Sequence, residues 1–182
     1  MRVISGTCKG RRLTPIQGQK IRPTADRTKE SLFNILGSKV RQSNILDLFA
    51  GTGALGIEAL SRGAEQATFI DLHTNVIHEN LRLCRLEKKA AVICRDLTKT
   101  SSLFIPDGSK FDLVFMDPPY GKKYVGQVLD NNSFVHLLKD DSIIIAEHSQ
   151  KERPLASSEK FEIYRQKKHS KTLLSFIRKN IS

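Results

Sequence analysis

The chain has 182 residues, of which 39% are hydrophobic and 27% are charged, a composition that indicates one soluble globular domain. No apolar run is long enough to span a membrane and the N-terminus lacks an apolar signal region, so we expect a cytoplasmic protein with no membrane partner. The net charge of +11 is concentrated at the two ends, with +6 in residues 1–30, +6 in residues 151–182 and −1 between them. Such clustering is typical of a surface that binds a polyanion.

The cysteines and histidines do not indicate a metal site. Cys8, Cys84 and Cys94 are odd in number and lack the spacing of metal ligands, so we expect reduced thiols. The five histidines are scattered along the chain. We therefore expect no metal and, because no long exposed apolar face is predicted, a monomer.

The N-terminal part is predicted to be a basic extension of a larger domain. Residues 2–5 and 12–15 suit a small hairpin, and residues 26–36 suit a helix whose buried residues would be Leu32, Phe33, Ile35 and Leu36. We divide the chain into a basic N-terminal extension, residues 1–40, and a main domain, residues 41–182. The cations expected to contact a polyanion, for which RNA is one candidate, are Arg2, Lys9, Arg11, Arg12 and Arg27. The alternative is a basic surface that is merely solvated.

The main domain is predicted to alternate strands with helices. The expected strands are 44–49, 67–70, 91–94, 111–116 and 142–146, and the expected helices are 54–62 and 74–86. Residues 161–165 and 172–177 resemble a hairpin. This order predicts an α/β fold with a doubly wound, mostly parallel sheet of seven strands that ends in an antiparallel hairpin.

A glycine-rich loop follows the first of these strands. Gly51, Gly53 and Gly56 form the pattern G-x-G-x-x-G at the start of a helix, where the chain must turn sharply and a ligand approaches the backbone closely. Asp71 ends the second strand, where an acid can bind ribose hydroxyls, and Asp96 follows the third, where it could meet an adenine. The alternative for both acids is a helix cap or a loop residue.

Asp47 decides which ligand we expect at this loop. A dinucleotide would place its pyrophosphate where this carboxylate repels it. A carboxylate there suits a ligand that has an ammonium group and no phosphate, and S-adenosylmethionine is such a ligand. The alternative is a buried acid that bonds to loop amides. Besides the three acids, the residues expected to line the cofactor are Phe49, Ala50, Gly51, Thr52, Gly53, Leu72 and Leu97.

The tetrapeptide Asp117, Pro118, Pro119 and Tyr120 ends the fourth strand and should face the same crevice. An exocyclic amine of a nucleobase is a poor nucleophile because its lone pair is delocalised into the ring. Hydrogen bonds from this amine to Asp117 and to the Pro118 carbonyl would free the lone pair for attack on a methyl group. Asp117 would also stabilise the positive charge that develops on nitrogen, and Tyr120 would stack on a base that has left its helix.

With these residues in view, the sequence resembles the bacterial 16S ribosomal RNA guanine-N2 methyltransferase family over nearly its whole length. The resemblance is carried by the segments 2–6, 9–13, 22–27, 30–34, 46–64 and 117–120. Its most specific part is Arg22-Pro23-Thr24-Ala25-Asp26-Arg27 in combination with the glycine loop and the tetrapeptide. The chain departs from the family at Asp71, where many relatives have Glu, and near His169, where it lacks a frequent turn glycine.

The resemblance implies a Rossmann-like class I methyltransferase domain over residues 41–182 that uses S-adenosylmethionine and releases S-adenosylhomocysteine. It implies methylation of the N2 amine of one guanine in 16S RNA, guanine 966 or its equivalent, on the small ribosomal subunit or an assembly intermediate. It also places Arg22, Thr24 and Asp26 beside the cofactor; otherwise Thr24 or Asp26 would cap the following helix.

Three other functions compete with this interpretation. An adenine-N6 methyltransferase acting on RNA or DNA would use the same tetrapeptide, although 182 residues leave no room for a large DNA-recognition region. A non-catalytic RNA-binding module would be free to lose the acids and glycines that this chain keeps. An NAD-dependent oxidoreductase conflicts with Asp47 and leaves the tetrapeptide unexplained.

Overall fold

A computed structural model describes residues 1–16, 24–99, 105, 108–152, 159–169 and 172–180, with residues 24, 25 and 169 described by their backbone alone. Within these ranges the strands are β1 (Asn44–Leu48), β2 (Gln66–Asp71), β3 (Ala90–Cys94), β4 (Phe111–Met116), β5 (Leu138–Ser149), β6 (Phe161–His169) and β7 (Thr172–Lys179). The α-helices are α1 (Thr24–Leu36), α2 (Ala54–Ser61), α3 (Thr74–Cys84), α4 (Tyr124–Leu129) and α5 (Asn132–His136).

The strands form one seven-stranded sheet in the order β3-β2-β1-β4-β5-β7-β6. Strands β1 to β5 pair in parallel, and β7 lies antiparallel between β5 and β6. The predicted fold class is therefore confirmed, including the C-terminal hairpin. The strand order reverses between β1 and β4, and ligands of such sheets bind in the crevice at the carboxyl ends of the strands at that point.

Both faces of the sheet are covered, which explains why its strands read as continuous apolar runs. In β4, Leu113 and Phe115 belong to an apolar cluster with α1, α2 and α3, whereas Val114 and Met116 belong to a second cluster with α4 and α5. This alternation is the two-residue period of a strand. The ends of the strands, with their polar side chains, are left at the edge of the sheet.

The sequence analysis missed α4 and α5 and made β5 too short. The two helices have six and five residues, too few for a helical period to show in the sequence. The first part of β5 contains the exposed Asp140 and Asp141, which interrupt the apolar run that marked the strand. Ile35, which we expected to be buried, is only half-buried at the margin of its cluster.

The N-terminal hairpin is present, although it is held by a single antiparallel bridge between Arg2 and Arg12. The amide of Val3 donates to the carbonyl of Arg11 at 2.9 Å, and the amide of Leu13 donates to that of Met1 at 3.0 Å. Val3 and Leu13 are buried in the same cluster as α1 and α2. The N-terminal segment thus shares the core of the main domain.

Glu58 of α2 fastens this segment to the domain. Its buried carboxylate accepts hydrogen bonds from the amides of Ile4 and Ser5, at 2.8 and 3.0 Å. It also pairs with Arg62 at 2.8 Å and with Lys29 of α1 at 3.2 Å. Burial lowers the pKa of Lys29, while the carboxylate of Glu58 opposes that shift. A buried carboxylate needs such a full set of partners, so its removal would leave buried donors unpaired.

Candidate functional site

A cleft of about 1380 Å³ opens at the carboxyl ends of β1, β2, β4 and β5. Its lining includes residues predicted to bind the cofactor and residues predicted to bind the target nucleobase, so the two predicted sites lie in one cavity. The predicted residues that line it are Asp47, Phe49, Ala50, Gly51, Thr52, Asp71, Leu72, Asp96, Leu97, Asp117, Pro118, Pro119 and Tyr120.

The glycine loop is shaped by close packing beneath it. Gly51 and Gly53 have φ angles of +57° and +74°, a backbone region that glycine enters at little cost. At Gly56 a Cβ atom would lie 2.3 Å from the ring of Phe69 and 3.1 Å from Oδ2 of Asp47. The third glycine is therefore required by packing, because α2 lies against β2 and the carboxylate. Gly53 shapes the loop but is not among the described cleft-lining residues.

Asp47 is a buried acid that faces the cleft. It is 2% exposed, and its Oδ2 accepts a hydrogen bond of 2.9 Å from the amide of Gly56. Burial raises its pKa to about 8; the Gly56 amide opposes this shift, and the negative charges of Asp117 and Asp71 add to it. The carboxylate does accept a hydrogen bond from a loop amide, as the alternative interpretation required. One such bond does not offset the free-energy cost of burying the charged form. A cation in the cleft would stabilise its charged form.

Asp71 joins the end of β2 to the glycine loop. Its Oδ2 accepts from the amide of Gly51 at 2.9 Å, and its Oδ1 accepts from the amide of His73 at 2.8 Å. These bonds fix the carboxylate at the cleft wall. Each oxygen retains a lone pair that could accept a further hydrogen bond, as from a sugar hydroxyl.

Asp96 lies in a turn after β3. Its Oδ1 accepts from the hydroxyl and the amide of Thr98 at 2.6 and 3.0 Å, and Lys99 lies 3.4 Å from Oδ2. The hydrogen bonds from Thr98, aided by Lys99, lower its pKa. Asp96 thus stabilises a turn through its side chain, which matches the alternative of a loop residue that the sequence allowed for it. Leu97, next to it, lines the cleft.

Of the three residues that the resemblance placed beside the cofactor, only Asp26 is described with its side chain. Asp26 accepts from the amide of Arg2 at 3.4 Å and lies 3.8 Å from its guanidinium nitrogen Nε, and it is not among the described lining residues. Thr24 begins α1, and only its backbone is described. Arg22 lies outside the described residues.

Residues 13–16 form part of the cleft wall, which the sequence analysis did not predict. Asn80 of α3 is buried and connects this segment to the glycine loop. Its Nδ2 donates to the carbonyls of Thr14 and Thr52 at 3.1 and 3.0 Å, while its Oδ1 accepts from the amide of Thr14 at 2.7 Å. The N-terminal segment is therefore a structural part of the predicted cofactor site.

Tyr120 lies at the mouth of the cleft and contacts two carboxylates. Its hydroxyl donates to Oε1 of Glu147 at 2.7 Å and lies 3.5 Å from Oδ1 of Asp117. Thr172 of β7 donates to the same oxygen of Glu147 at 2.9 Å. Glu147 is on β5 and lines the cleft. The sequence analysis missed Glu147 because no glycine or proline marks it as the end of a strand.

Glu152 holds the loop that follows the tetrapeptide. Its Oε1 accepts from the amides of Gly121 and Lys123 at 2.8 and 3.2 Å, and its Oε2 accepts from the amide of Ser149 at 3.2 Å. The loop after β4 is thereby tied to the end of β5.

The predicted RNA-binding cations lie on two surfaces. Arg2, Lys9, Arg11 and Arg12 are exposed on the N-terminal hairpin. Arg27 of α1 instead lines a surface notch together with Arg165 and Lys167 of β6. The notch brings a residue of the basic segment 1–30 next to two residues of the basic segment 151–182. The sequence alone could not place these segments relative to each other. Three cations against the one carboxylate of Glu30 in the same notch are suited to a phosphate.

The described ranges contain no cluster of three or more His, Cys, Asp and Glu side chains that could hold a metal ion. None of the helices described there is long and apolar enough to cross a membrane.

Comparisons with known proteins find both close and distant similarity. The family model described as Conserved hypothetical protein 95 matches residues 1–178. The Ribosomal RNA small subunit methyltransferase D of Haemophilus influenzae is 34% identical over 173 residues, which cover 92% of this chain and 88% of that protein. The solved structure of Escherichia coli yhhF has a TM-score of 0.81 at 29% identity, covering 98% and 97% of the two chains. The solved chain SMU.776, complexed with SAH, has a TM-score of 0.59 at 16% identity, covers 88% of this chain and 50% of its own, and shows the fold alone.

Proposed function

Because the chain belongs to the family described as Conserved hypothetical protein 95, we propose that its substrate is the N2 amine of one guanine in 16S RNA of the small ribosomal subunit. The membership confirms the resemblance found in the sequence. The chain is an rRNA methyltransferase that uses S-adenosylmethionine. The observation that carries methylation of an exocyclic amine is the cleft in which Asp47 and Asp117 stand at the ends of neighbouring strands. The choice of guanine rests on the resemblance of residues 22–27 to the guanine-N2 methyltransferase family.

The described residues fit this cofactor. Asp47 is a buried carboxylate whose charge needs a cation, and an amino-acid ammonium group would supply one. Asp71 is held where a ribose hydroxyl could donate to it, and Leu72 and Leu97 offer apolar walls for an adenine ring. S-adenosylmethionine supplies an electrophilic methyl group when it is bound.

The tetrapeptide would act on the base. Asp117 and the carbonyl of Pro118 would accept the two N–H bonds of the exocyclic amine, which draws its lone pair out of the ring. Asp117 would then stabilise the positive charge that develops on the nitrogen as the new bond forms. The methylated nitrogen loses its extra proton readily, so no strong base is needed. Tyr120 would stack on the base, which must be unstacked from its neighbours.

The basic surfaces would hold the RNA. Arg11 and Arg12 on the hairpin, and Arg27 with Arg165 and Lys167 in the notch, are the cations expected to contact phosphates. These contacts carry little sequence information, since phosphate is the same at every nucleotide. The choice of nucleotide would then depend on the shape of the particle and on the cleft.

One experiment separates the candidate functions. The protein is incubated with labelled S-adenosylmethionine and small subunits from cells that lack the modification, and the RNA is digested to nucleosides. We expect label in N2-methylguanosine and none with Asp117→Ala. Label in N6-methyladenosine would assign the enzyme to adenine, and the absence of any labelled nucleoside would contradict catalysis on this particle.

A further inference from the structure

Glu147 is a second carboxylate in the substrate part of the cleft, and neither the glycine loop nor the tetrapeptide includes it. It is half-buried on β5, the neighbour of the strand that ends at Asp117. The hydroxyl of Tyr120 contacts Oε1 of Glu147 and Oδ1 of Asp117. Because one hydroxyl touches both carboxylates, one hydrogen-bonding edge of a base can reach both of them.

The hydrogen bonds of Glu147 leave one of its oxygens available. The hydroxyls of Tyr120 and Thr172 both donate to Oε1. Within the described parts of the chain, Oε2 has no hydrogen-bond donor. The two hydroxyls therefore orient the side chain while the second oxygen can serve a ligand in the cleft.

We propose that Glu147 accepts the N1–H of the target guanine and thereby selects guanine over adenine. This inference rests on the proposed function. Guanine presents N1–H and the N2 amino group side by side, so Asp117 and Glu147 together match two adjacent donors. Adenine has an unprotonated N1 beside its amino group, and its lone pair would face the carboxylate of Glu147. A site built to bond a donor rejects an analogue that lacks it, because an acceptor that the base shields from water is then left unpaired.

The test compares two bases that carry the same N2 amine. Small subunits are reconstituted with either guanine or 2-aminopurine at the nucleotide that the wild-type protein methylates; 2-aminopurine keeps the amine but has no proton on N1. The kcat/KM for the two particles is measured with wild type, Glu147→Gln and Glu162→Gln. Glu162 is an exposed residue of β6 that pairs with Arg178, so its substitution is the matched control.

We expect wild type and Glu162→Gln to prefer guanine strongly, and Glu147→Gln to lower that preference about tenfold or more, since a glutamine amide can donate to an unprotonated N1. Any difference in intrinsic reactivity between the two amines cancels when the ratio of kcat/KM values is compared between proteins, because every protein is tested on both particles. Calorimetry with S-adenosylmethionine checks that Glu147→Gln is folded.

Two results would overturn the inference without touching the proposed function. One is that the wild type methylates guanine at N2 but has an equal kcat/KM on 2-aminopurine. This result does not depend on any variant. The other is an unchanged preference in a folded Glu147→Gln. If the wild type forms no N2-methylguanosine at all, the proposed function fails and the role of Glu147 fails with it.

Discussion

Replacing Asp47 with asparagine should stabilise the cofactor-free protein at neutral and alkaline pH while weakening its binding of S-adenosylmethionine. The carboxyl group is 2% exposed, and its pKa is raised from 3.8 to about 8, mainly by burial. Between these values the folded protein keeps a proton that the unfolded chain has lost. The free energy of unfolding therefore falls as the pH rises through this window, and it levels off above pH 8.

The size of the effect follows from the pKa. The pKa of Asp47 lies about four above its value in the unfolded chain, and each pKa unit corresponds to about 1.36 kcal/mol. The free energy of unfolding is therefore about 6 kcal/mol lower above pH 8 than at low pH. Asparagine keeps an acceptor for the Gly56 amide, but its buried NH₂ group needs an acceptor of its own, which costs about 1–3 kcal/mol. We expect a net stabilisation of about 3 kcal/mol at pH 8, or about 6–12 °C in Tm. At pH 5 the two effects nearly cancel.

Urea unfolding of wild type, Asp47→Asn and Asp140→Asn from pH 5 to 9 measures this difference. Asp140 is exposed, and the hydrogen bond from Lys179 lowers its pKa, so both its folded and unfolded forms are ionised over this range. Its variant should keep the wild-type slope. A stability difference between Asp47→Asn and wild type that does not change with pH would refute the raised pKa. In calorimetry, Asp47→Asn should raise the Kd for S-adenosylmethionine about tenfold or more, because a charge-assisted hydrogen bond is lost.

Three shorter predictions test other parts of the structure. Asp117→Ala should abolish methyl transfer yet leave cofactor affinity nearly unchanged, as calorimetry beside an activity assay will show; full activity would contradict the mechanism. Gly56→Ala should cost about 1–3 kcal/mol in urea unfolding, because its Cβ would lie 2.3 Å from the Phe69 ring, and an unchanged midpoint would be inconsistent with that packing. Arg11→Ala with Arg12→Ala should weaken RNA binding and flatten its dependence on salt concentration; an unaltered slope would mean that the hairpin does not contact phosphate.

The sequence predicted the candidate site where the chain itself marks the ends of strands. Asp47, Asp71 and Asp117 each stand at the carboxyl end of an apolar strand or within one residue of it, and parallel strands bring such ends to one edge of a sheet. These three residues line one cleft, as expected. Their common placement could be predicted because it depends only on the order of the elements and the direction of the strands.

Prediction from the sequence failed where a contact joins residues that no local pattern connects. Glu147 meets Tyr120 across 27 residues of sequence, and Asn80 meets Thr14 across 66. In each case the polar side chain stands among ordinary strand or helix residues, with no glycine, proline or spacing to distinguish it. Only the docking of β5 beside β4, and of the N-terminal segment against α3, gives these side chains a partner.

The sequence by itself determined the order of the seven strands and of helices α1 to α3, the strand-end acids, the two basic ends and the family. Those features depend on residue type and on periods of two or 3.6 residues, which are local. The tertiary structure decided that burial raises the pKa of Asp47, that Arg27 shares a notch with β6, and that Glu147 meets Tyr120 in the cleft. Desolvation and long-range hydrogen bonds depend on which surfaces meet after packing, and no local pattern of residues encodes that.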